Sequence, residues 1–282
     1  MTVAQAVAAH HVYVPSWPAV AASALLVAAC IAVVARERLG LAREVAVATV
    51  RAAVQLVAVG ALLAWLFEHA GLAGSLGWVA AMVLVAGGVS ARRGRGLRGV
   101  RAVSTTAVAV AVAVTLGLLV VTHAVTTEPR VLVPIGGMVV SGALQATSLT
   151  LLRIRDAVSE NRPQVEARLA LGQSARQAFA PQLRAALRNA LVPTIDTTKV
   201  VGLISLPGAM TGLIIAGVPP LDAIRYQIVV MYMLLGAWAV AGLVAGRMVE
   251  HTIFDEAHRL RPLLRHGMTT ARPSRRPARN RS

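Results

Sequence analysis

Long apolar runs constrain the fold of this chain more than any other feature. Seven of them are long enough, or nearly so, to cross the hydrocarbon core of a bilayer, which takes about 20 helical residues. They occupy 17–35, 45–66, 73–90, 103–122, 131–152, 200–217 and 226–246. None alternates apolar and polar residues as a barrel strand does. The sequence therefore predicts an all-α integral membrane protein with about seven transmembrane helices.

The formal charge of +16 is explained by where the basic residues lie. If the N-terminus is outside and the spans alternate, the inner side receives the 36–44 and 92–101 loops, the segment 153–199 and the C-terminal tail. Only Arg130 and Arg225 of the 28 basic residues then lie outside. This asymmetry predicts an external N-terminus and a cytoplasmic C-terminus, and it needs no nucleic-acid partner. Lys199 is the only lysine, and an arginine bias of this kind indicates a GC-rich bacterium, so we expect the bacterial inner membrane.

The arginine-rich segment 153–199 separates the fifth and sixth apolar runs. Pro163 suits a helix start, Gly172 suits a helix end or turn, and Ser174 with Gln177 has the spacing of a capping box. We expect two or three short helices along the inner membrane face, extending the fifth and sixth spans. The alternative is an ordinary cytoplasmic loop, for which 47 residues would be long.

Two domains follow from this division. Residues 1–252 form the transmembrane permease domain, which includes the cytoplasmic coupling segment 153–199. Residues 253–282 form a cytoplasmic basic tail. From about 267 the tail is rich in arginine and proline, a composition that predicts disorder.

No phosphate-binding P-loop is present. Lys199 follows Asp196-Thr197-Thr198 without a glycine loop, so the motif G-x-x-x-x-G-K-[ST] cannot form. We expect a transport subunit that is not an enzyme and binds no cofactor. If ATP drives it, a separate cytoplasmic ATPase chain must hold the nucleotide.

Polar, glycine and proline residues inside the apolar runs are candidates for a translocation path. A proline with nearby glycines breaks a helix, which is tolerated where it lines a cavity, and an amide is costly against lipid. The alternatives are helix packing and interhelical hydrogen bonding, and for the arginine snorkelling to the interface. The candidates are Arg51, Gln55, Ser141, Gln145, Ser148, Pro207, Gly208, Met210 and Thr211.

No metal-ligand set can be assigned from spacing. Met138, Met210, Met231 and Met233 offer soft sulfur ligands, but methionine more often fills a core. The histidines and carboxylates on the predicted outer side fit no compact metal motif. The metal ligands are therefore left unassigned.

Several motifs occur together in an order that resembles the FetB-type ABC permease family. The runs are PIGGM at 134–138, EARLALG at 166–172, LPGAMTG at 206–212 and IRYQIVVMY at 224–232, with RAAVQL at 51–56 similar to the family's second-span motif. The family comprises membrane subunits of a bacterial iron-linked exporter, with plant relatives linked to aluminium tolerance. Three polar family positions differ here: Gly142 and Gln145 stand where the family has asparagines, and Leu213 stands where it has a glutamine.

The resemblance implies a permease that pairs with a separate ATPase, exports an iron-like metal ion and forms a homodimer. It also implies that the region from 165 to 191 contacts the ATPase, with Glu166, Arg168, Leu169, Gly172 and Arg176 as the coupling residues. Two other functions remain open. An ion-coupled secondary transporter would normally carry a carboxylate or histidine inside the membrane, and the spans contain no Asp or Glu. A non-transporting scaffold would use 153–199 only to bind a soluble partner.

Overall fold

The computed structural model describes residues 15–69, 71–204, 206–255 and 259–263. Within these ranges the regular elements are helices, and an isolated antiparallel bridge joins Phe254 to Leu260. Residues 1–14, at the N-terminus that is predicted to be external, and the tail from about 267, for which disorder is predicted, lie outside the described residues. The helices are α1 (Trp17–Arg36), α2 (Ala42–His69), α3 (Gly71–Ala91), α4 (Val100–Val121), α5 (Pro129–Glu160), α6 (Arg162–Ala170), α7 (Ala175–Val200), α8 (Gly208–Ile215) and α9 (Pro220–Thr252).

Six of the described helices, α1 to α5 and α9, are long and apolar enough to cross a membrane. They coincide with six of the seven predicted spans. Prolines mark the starts of α1, α5 and α9, positions where the missing amide hydrogen is not needed for an intrahelical bond. The all-helical membrane architecture is confirmed.

The sixth predicted span, 200–217, is not one helix. Helix α7 ends at Val200, Gly202 has a φ of +83°, and the next helix begins only at Gly208. Pro207 is the N-cap of α8, with φ −61° and ψ 146°. Proline has no amide hydrogen for a continuous helical ladder, which explains why the helix restarts after it. The broken helix expected from Pro207 is present, and α8 has only eight residues.

The described chain divides into two compact units. Unit 1 takes its residues from Met1–Val83, Ala111–Gly142 and Pro193–Ala237, and unit 2 from Leu84–Val110, Ala143–Val192 and Trp238–Ser282. In unit 1, α1 has no buried residue and α2 buries only Leu66. Such continuous apolar exposure suits helices that face lipid or another protein chain.

Unit 2 contains a hydrophobic core in which several segments of the chain meet. They are the 92–99 loop, the start of α4, the C-terminal part of α5, helix α6, the first half of α7, the C-terminal end of α9 and the residues at 253, 254 and 260 that follow it. The buried members are Leu97, Val103, Leu151, Ile154, Val158, Val165, Ala175, Ala178, Phe179, Leu183, Ala186, Val249, Ile253, Phe254 and Leu260. We call this group the coupling core.

Glycines allow the helices of unit 2 to approach closely. A Cβ added at Gly87 of α3 would lie 2.7 Å from the Cα of Thr105 in α4. A Cβ at Gly246 of α9 would lie 3.1 Å from a methyl carbon of Leu183 in α7. Small residues let membrane helices gain van der Waals contact without a hydrophobic driving force between them.

Candidate functional site

The turn between α6 and α7 is held by local signals that the sequence predicts. Pro163 lies in the first turn of α6. Gly172 follows the helix with φ +83°, and its amide donates to the carbonyl oxygen of Leu169 at 3.0 Å. The Ser174 amide donates to Gln177 Oε1 at 3.1 Å, and the Gln177 amide donates to Ser174 Oγ at 3.4 Å. The capping box is confirmed, and the turn has a defined shape.

Arg168 joins the two helices that flank this turn. Its guanidinium donates to the carbonyl oxygen of Ala178 at 3.1 Å and to Gln182 Oε1 at 2.9 Å. Gln182 is buried, and hydrogen bonds to a charged donor are roughly twice as strong as neutral ones. Arg168 therefore fixes α6 against α7 and presents little free charge.

The other predicted coupling residues differ in exposure. Glu166 is exposed and accepts a hydrogen bond from Arg162 one turn earlier, at 2.7 Å. Leu169 is half-buried and packs against the coupling core. Gly172 and Arg176 are exposed. These residues lie at or near the turn between α6 and α7. Arg168 holds α6 against α7 through its hydrogen bonds to Ala178 and Gln182.

Leu171 is the residue of this surface that the sequence did not single out. It is the C-cap of α6, directly before the left-handed Gly172, and is 81% exposed. It places a single large apolar side chain at the tip of a polar turn.

The coupling core connects this turn to two membrane-spanning helices. Val165 of α6 and Phe179 of α7 are fully buried, together with Leu151 and Ile154 of α5 and Val249 of α9. Protein interiors pack as densely as organic crystals and transmit displacement instead of absorbing it. Through this core the turn is packed against the C-terminal ends of α5 and α9.

Residues that follow α9 complete this core. The Arg261 amide donates to the Ile253 carbonyl oxygen at 2.8 Å, and Phe254 meets Phe179 edge to face with the ring centroids 6.2 Å apart. Arg162 donates to the carbonyl oxygen of Leu260 at 3.1 Å. The first part of the predicted tail is thus packed on α6 and α7 in a short hairpin. Hydrophobic residues at 253, 254 and 260 are the only sequence signal for it.

Glu250 is a buried carboxylate beside the start of α7. Its side chain is 6% exposed, and Arg247 donates to Oε2 at 3.3 Å. Among the described residues, Oε1 has no hydrogen-bond donor. Arg176 and Glu250 both line two small cavities of about 160 and 320 Å³. The exposed coupling residue Arg176 thus shares these cavities with an unsatisfied acceptor on α9.

The candidate path residues lie on three helices. On α5, Ser141 and Gln145 are exposed and Ser148 is half-buried. The opposite side of the helix is fully buried at Val139, Ala143 and Thr147, among others. The exposed side of α5 is therefore its more polar side.

The remaining path candidates belong to unit 1. Arg51 and Gln55 are exposed on α2. At the start of α8, Pro207 and Gly208 have accessible surface and Met210 is buried, while Thr211 Oγ1 donates to the Pro207 carbonyl oxygen at 3.2 Å. Within the described residues, no hydrogen bond or ion pair joins the α2 pair to α8.

The described residues contain no cluster of three or more His, Cys, Asp or Glu side chains that could hold a metal ion. Three buried polar atoms have no hydrogen-bond partner among the described residues. They are Thr147 Oγ1 and Thr150 Oγ1 on α5 and Gln227 Oε1 on α9. Such atoms carry a free-energy cost in a dry interior. They mark the polar groups on these helices that another conformation could satisfy.

Comparison with known proteins places this architecture in a family. The model of the family described as "Uncharacterised protein family (UPF0014)" matches residues 17–254. The chain belongs to the UPF0014 family. The resemblance to FetB-type permeases is thereby confirmed.

Relatives match over most of their length. The UPF0014 membrane protein STAR2 of Oryza sativa subsp. japonica is 40% identical over 239 residues, which cover 85% of this chain and 84% of the relative. Protein ALUMINUM SENSITIVE 3 of Arabidopsis thaliana is 36% identical over 79% of this chain and 82% of its own. The Probable iron export permease protein FetB of Escherichia coli (strain K12) is 31% identical over 84% and 91%. No solved structure matches the chain.

Proposed function

We propose that this UPF0014 protein is the membrane permease subunit of an ABC transporter and exports an iron-like metal ion with a separate ATPase. The observation that carries the proposal is the coupling core. It joins the exposed turn between α6 and α7 to the C-terminal ends of α5 and α9. The Escherichia coli relative, a probable iron export permease, supports both the permease role and the cargo.

The partner contact is proposed at the turn between α6 and α7. Glu166, Gly172 and Arg176 are exposed there, and Leu171 offers an apolar anchor. An apolar side chain in a polar surround is the usual composition of an interface centre and its rim. Arg168 and Leu169 hold the turn on the core, so they act as positioning residues for the contact.

Nucleotide would act on the pathway through this core. Closure of the ATPase pair displaces the turn, and the displacement passes to α5 and α9 through buried contacts. ATP can shift the permease between its two access states only by its differential affinity for them. Arg176 and the unsatisfied Oε1 of Glu250 supply one contact that can differ between these states.

The proposed path residues are Ser141, Gln145 and Ser148 on the polar side of α5 and, considered separately, Arg51 and Gln55 of α2. An exposed amide is costly against hydrocarbon, so this side should face protein or water. A second copy of the chain would cover it, which supports a homodimer. The start of α8, from Pro207 to Thr211, is the proposed movable element, because broken helices at membrane depth line cavities.

A metal cargo would meet oxygen and sulfur donors of single side chains along this path. The described residues offer the Ser141 hydroxyl, the Gln145 amide and the Met210 thioether, and they offer no carboxylate cage. Weak, successive sites suit transport, because a cargo must leave as well as enter.

The proposed topology has seven crossings, an external N-terminus, a cytoplasmic C-terminus and a bacterial inner membrane as its location. In unit 2, the C-terminal end of α3, the N-terminal end of α4 and the C-terminal ends of α5 and α9 lie together. Alternating spans would bring these four ends to one side of the membrane. The chain between α5 and α9 must then cross once, through the end of α7, the break at Pro207 and α8.

Reconstitution tests the proposal. The chain is co-expressed with an ATPase encoded beside it, purified and placed in proteoliposomes, and ATP-dependent movement of Fe²⁺ and of other divalent metals is measured. We expect copurification and ATP-driven export of at least one metal. Failure of the two chains to associate would contradict the ABC assignment. Metal movement that needs an ion gradient but no ATP would favour the secondary transporter, and ATP hydrolysis without movement of any metal would favour the scaffold.

A further inference from the structure

The loop between α3 and α4, together with the first turn of α4, carries a dense group of exposed arginines. Five lie within ten residues, and every one is exposed: Arg92, Arg93, Arg95, Arg98 and Arg101. None of their guanidinium groups forms a hydrogen bond or an ion pair with a residue that the structure describes. The group therefore has a large positive charge without an ion-pair partner among the described residues. We call residues 92–101 the arginine loop.

The arginine loop is a built structure. Leu97 is 4% exposed and belongs to the coupling core. A Cβ added at Gly94 would lie 2.7 Å from a methyl carbon of Val100 and 3.2 Å from Leu151 Cβ on α5. Gly96 has φ +102°, a left-handed conformation that other residues rarely adopt. The backbone of the loop is thus packed against α5. The arginines follow one another closely along it, and residues 92–101 contain no acidic residue.

Helix lengths place the loop at the level of the lipid headgroups. Helix α3 has 21 residues and α4 has 22, which at about 1.5 Å per residue span about 31 and 33 Å. The hydrocarbon core is about 30 Å thick, so a short loop joining these two helices begins where the headgroups begin. Helices α5 and α9 have 32 and 33 residues, roughly 48 and 50 Å, and carry the coupling turn farther from the membrane.

We propose that the arginine loop binds the headgroups of anionic phospholipids. Guanidinium groups donate paired hydrogen bonds to phosphate oxygens, and a basic residue near an anionic membrane surface strengthens binding about fivefold. The loop is too close to the membrane to form the outermost surface that meets an ATPase. This binding needs neither the partner nor the cargo of the proposed function, and it would hold if that function failed.

Native mass spectrometry of the whole chain tests the proposal. The protein is released from micelles that contain equimolar phosphatidylcholine and phosphatidylglycerol, and the retained lipids are counted. One variant changes all five loop arginines to Gln. The matched control changes five arginines of the tail to Gln, namely Arg272, Arg275, Arg276, Arg279 and Arg281, so that both variants lose the same charge.

We expect the loop variant to retain at least roughly tenfold less phosphatidylglycerol than the wild type. The tail variant should retain much more phosphatidylglycerol than the loop variant. Because the loop arginines are exposed and unpaired, the unfolding temperature should not change. If the variant with all five loop arginines changed does not fold, the double variant Arg95→Gln with Arg98→Gln should still retain less phosphatidylglycerol than the wild type. Binding is expected to persist in millimolar inorganic phosphate.

Three results would overturn the inference. Equal losses in the loop and tail variants would show a nonspecific effect of net charge. If the loop variant retained as much phosphatidylglycerol as the wild type but no longer bound the ATPase, the loop would be a contact for a protein partner. Displacement of the lipid by inorganic phosphate would show a site for the free anion.

Discussion

Single residues set how closely the helices of unit 2 can pack and how firmly the coupling turn is held. Gly87 admits the backbone of α4, since a Cβ there would collide with Thr105. Arg168 connects α6 to α7 through two hydrogen bonds. Neither role can be deduced from residue type, because glycine is common in membrane helices and an arginine in a coupling motif suggests a partner contact. Both depend on neighbours that are distant in sequence.

Gly87→Ala should destabilise the protein by about 2 kcal/mol, because an added methyl group overpacks a close helix contact. The measurement is the unfolding temperature in detergent micelles. Gly88→Ala is the control in the same helix, since a Cβ there meets nothing within 4 Å. Equal effects of the two substitutions would show that α3 and α4 are not in contact at this level.

Arg168→Met should also lower stability, by about 1–3 kcal/mol, because it removes two charged hydrogen bonds and leaves the buried Gln182 without its donor. Arg188→Met on the exposed side of α7 should have little effect. Chemical unfolding of both variants in detergent measures the difference. If the Arg168→Met protein were as stable as the wild type but no longer bound the separate ATPase chain, Arg168 would instead be a direct contact for that partner.

Whole elements were predicted from the sequence where local chemistry decides them. Apolar length gave the six helices that can span a membrane, and Pro163, Gly172 and Ser174 marked the coupling turn. The break in 200–217 was anticipated at Pro207, but the shortness of α8 was not. The hairpin at 253–261 was missed, because its burial depends on Phe179 and Arg162, which are far away in the chain. Hydropathy cannot report such contacts.

Truncation separates the packed part of the C-terminal region from the rest. A chain that ends after Leu263 keeps the buried residues Ile253, Phe254 and Leu260, so its unfolding temperature should match that of the full chain. A chain that ends after Thr252 uncovers Phe179 and should unfold several degrees lower, because burial of each large apolar side chain contributes about 1.5–3 kcal/mol. Equal stability of the two truncations would contradict the packing of the hairpin.

At the scale of the whole molecule, the coupling core packs the polar turn, which is the proposed partner surface, against the C-terminal ends of the long helices α5 and α9. The sequence predicted a coupling segment and polar residues in the fifth span. The packing of the turn on this core is tertiary, and only the structure shows it. The roles of the path and coupling residues remain predictions that experiments on the complex must test.

Association of Leu171→Glu with the co-expressed ATPase tests the central claim most directly. The charge lies on a side chain that is 81% exposed, so the fold should be unaffected, but an apolar interface centre would be lost and binding should weaken at least roughly tenfold. Leu39→Glu is the matched control, because Leu39 is 59% exposed and lies in the 36–44 loop, outside the proposed contact region. The account predicts that Leu171→Glu alone loses copurification with the ATPase at an unchanged unfolding temperature. Full copurification and ATP-driven metal export by Leu171→Glu would contradict it.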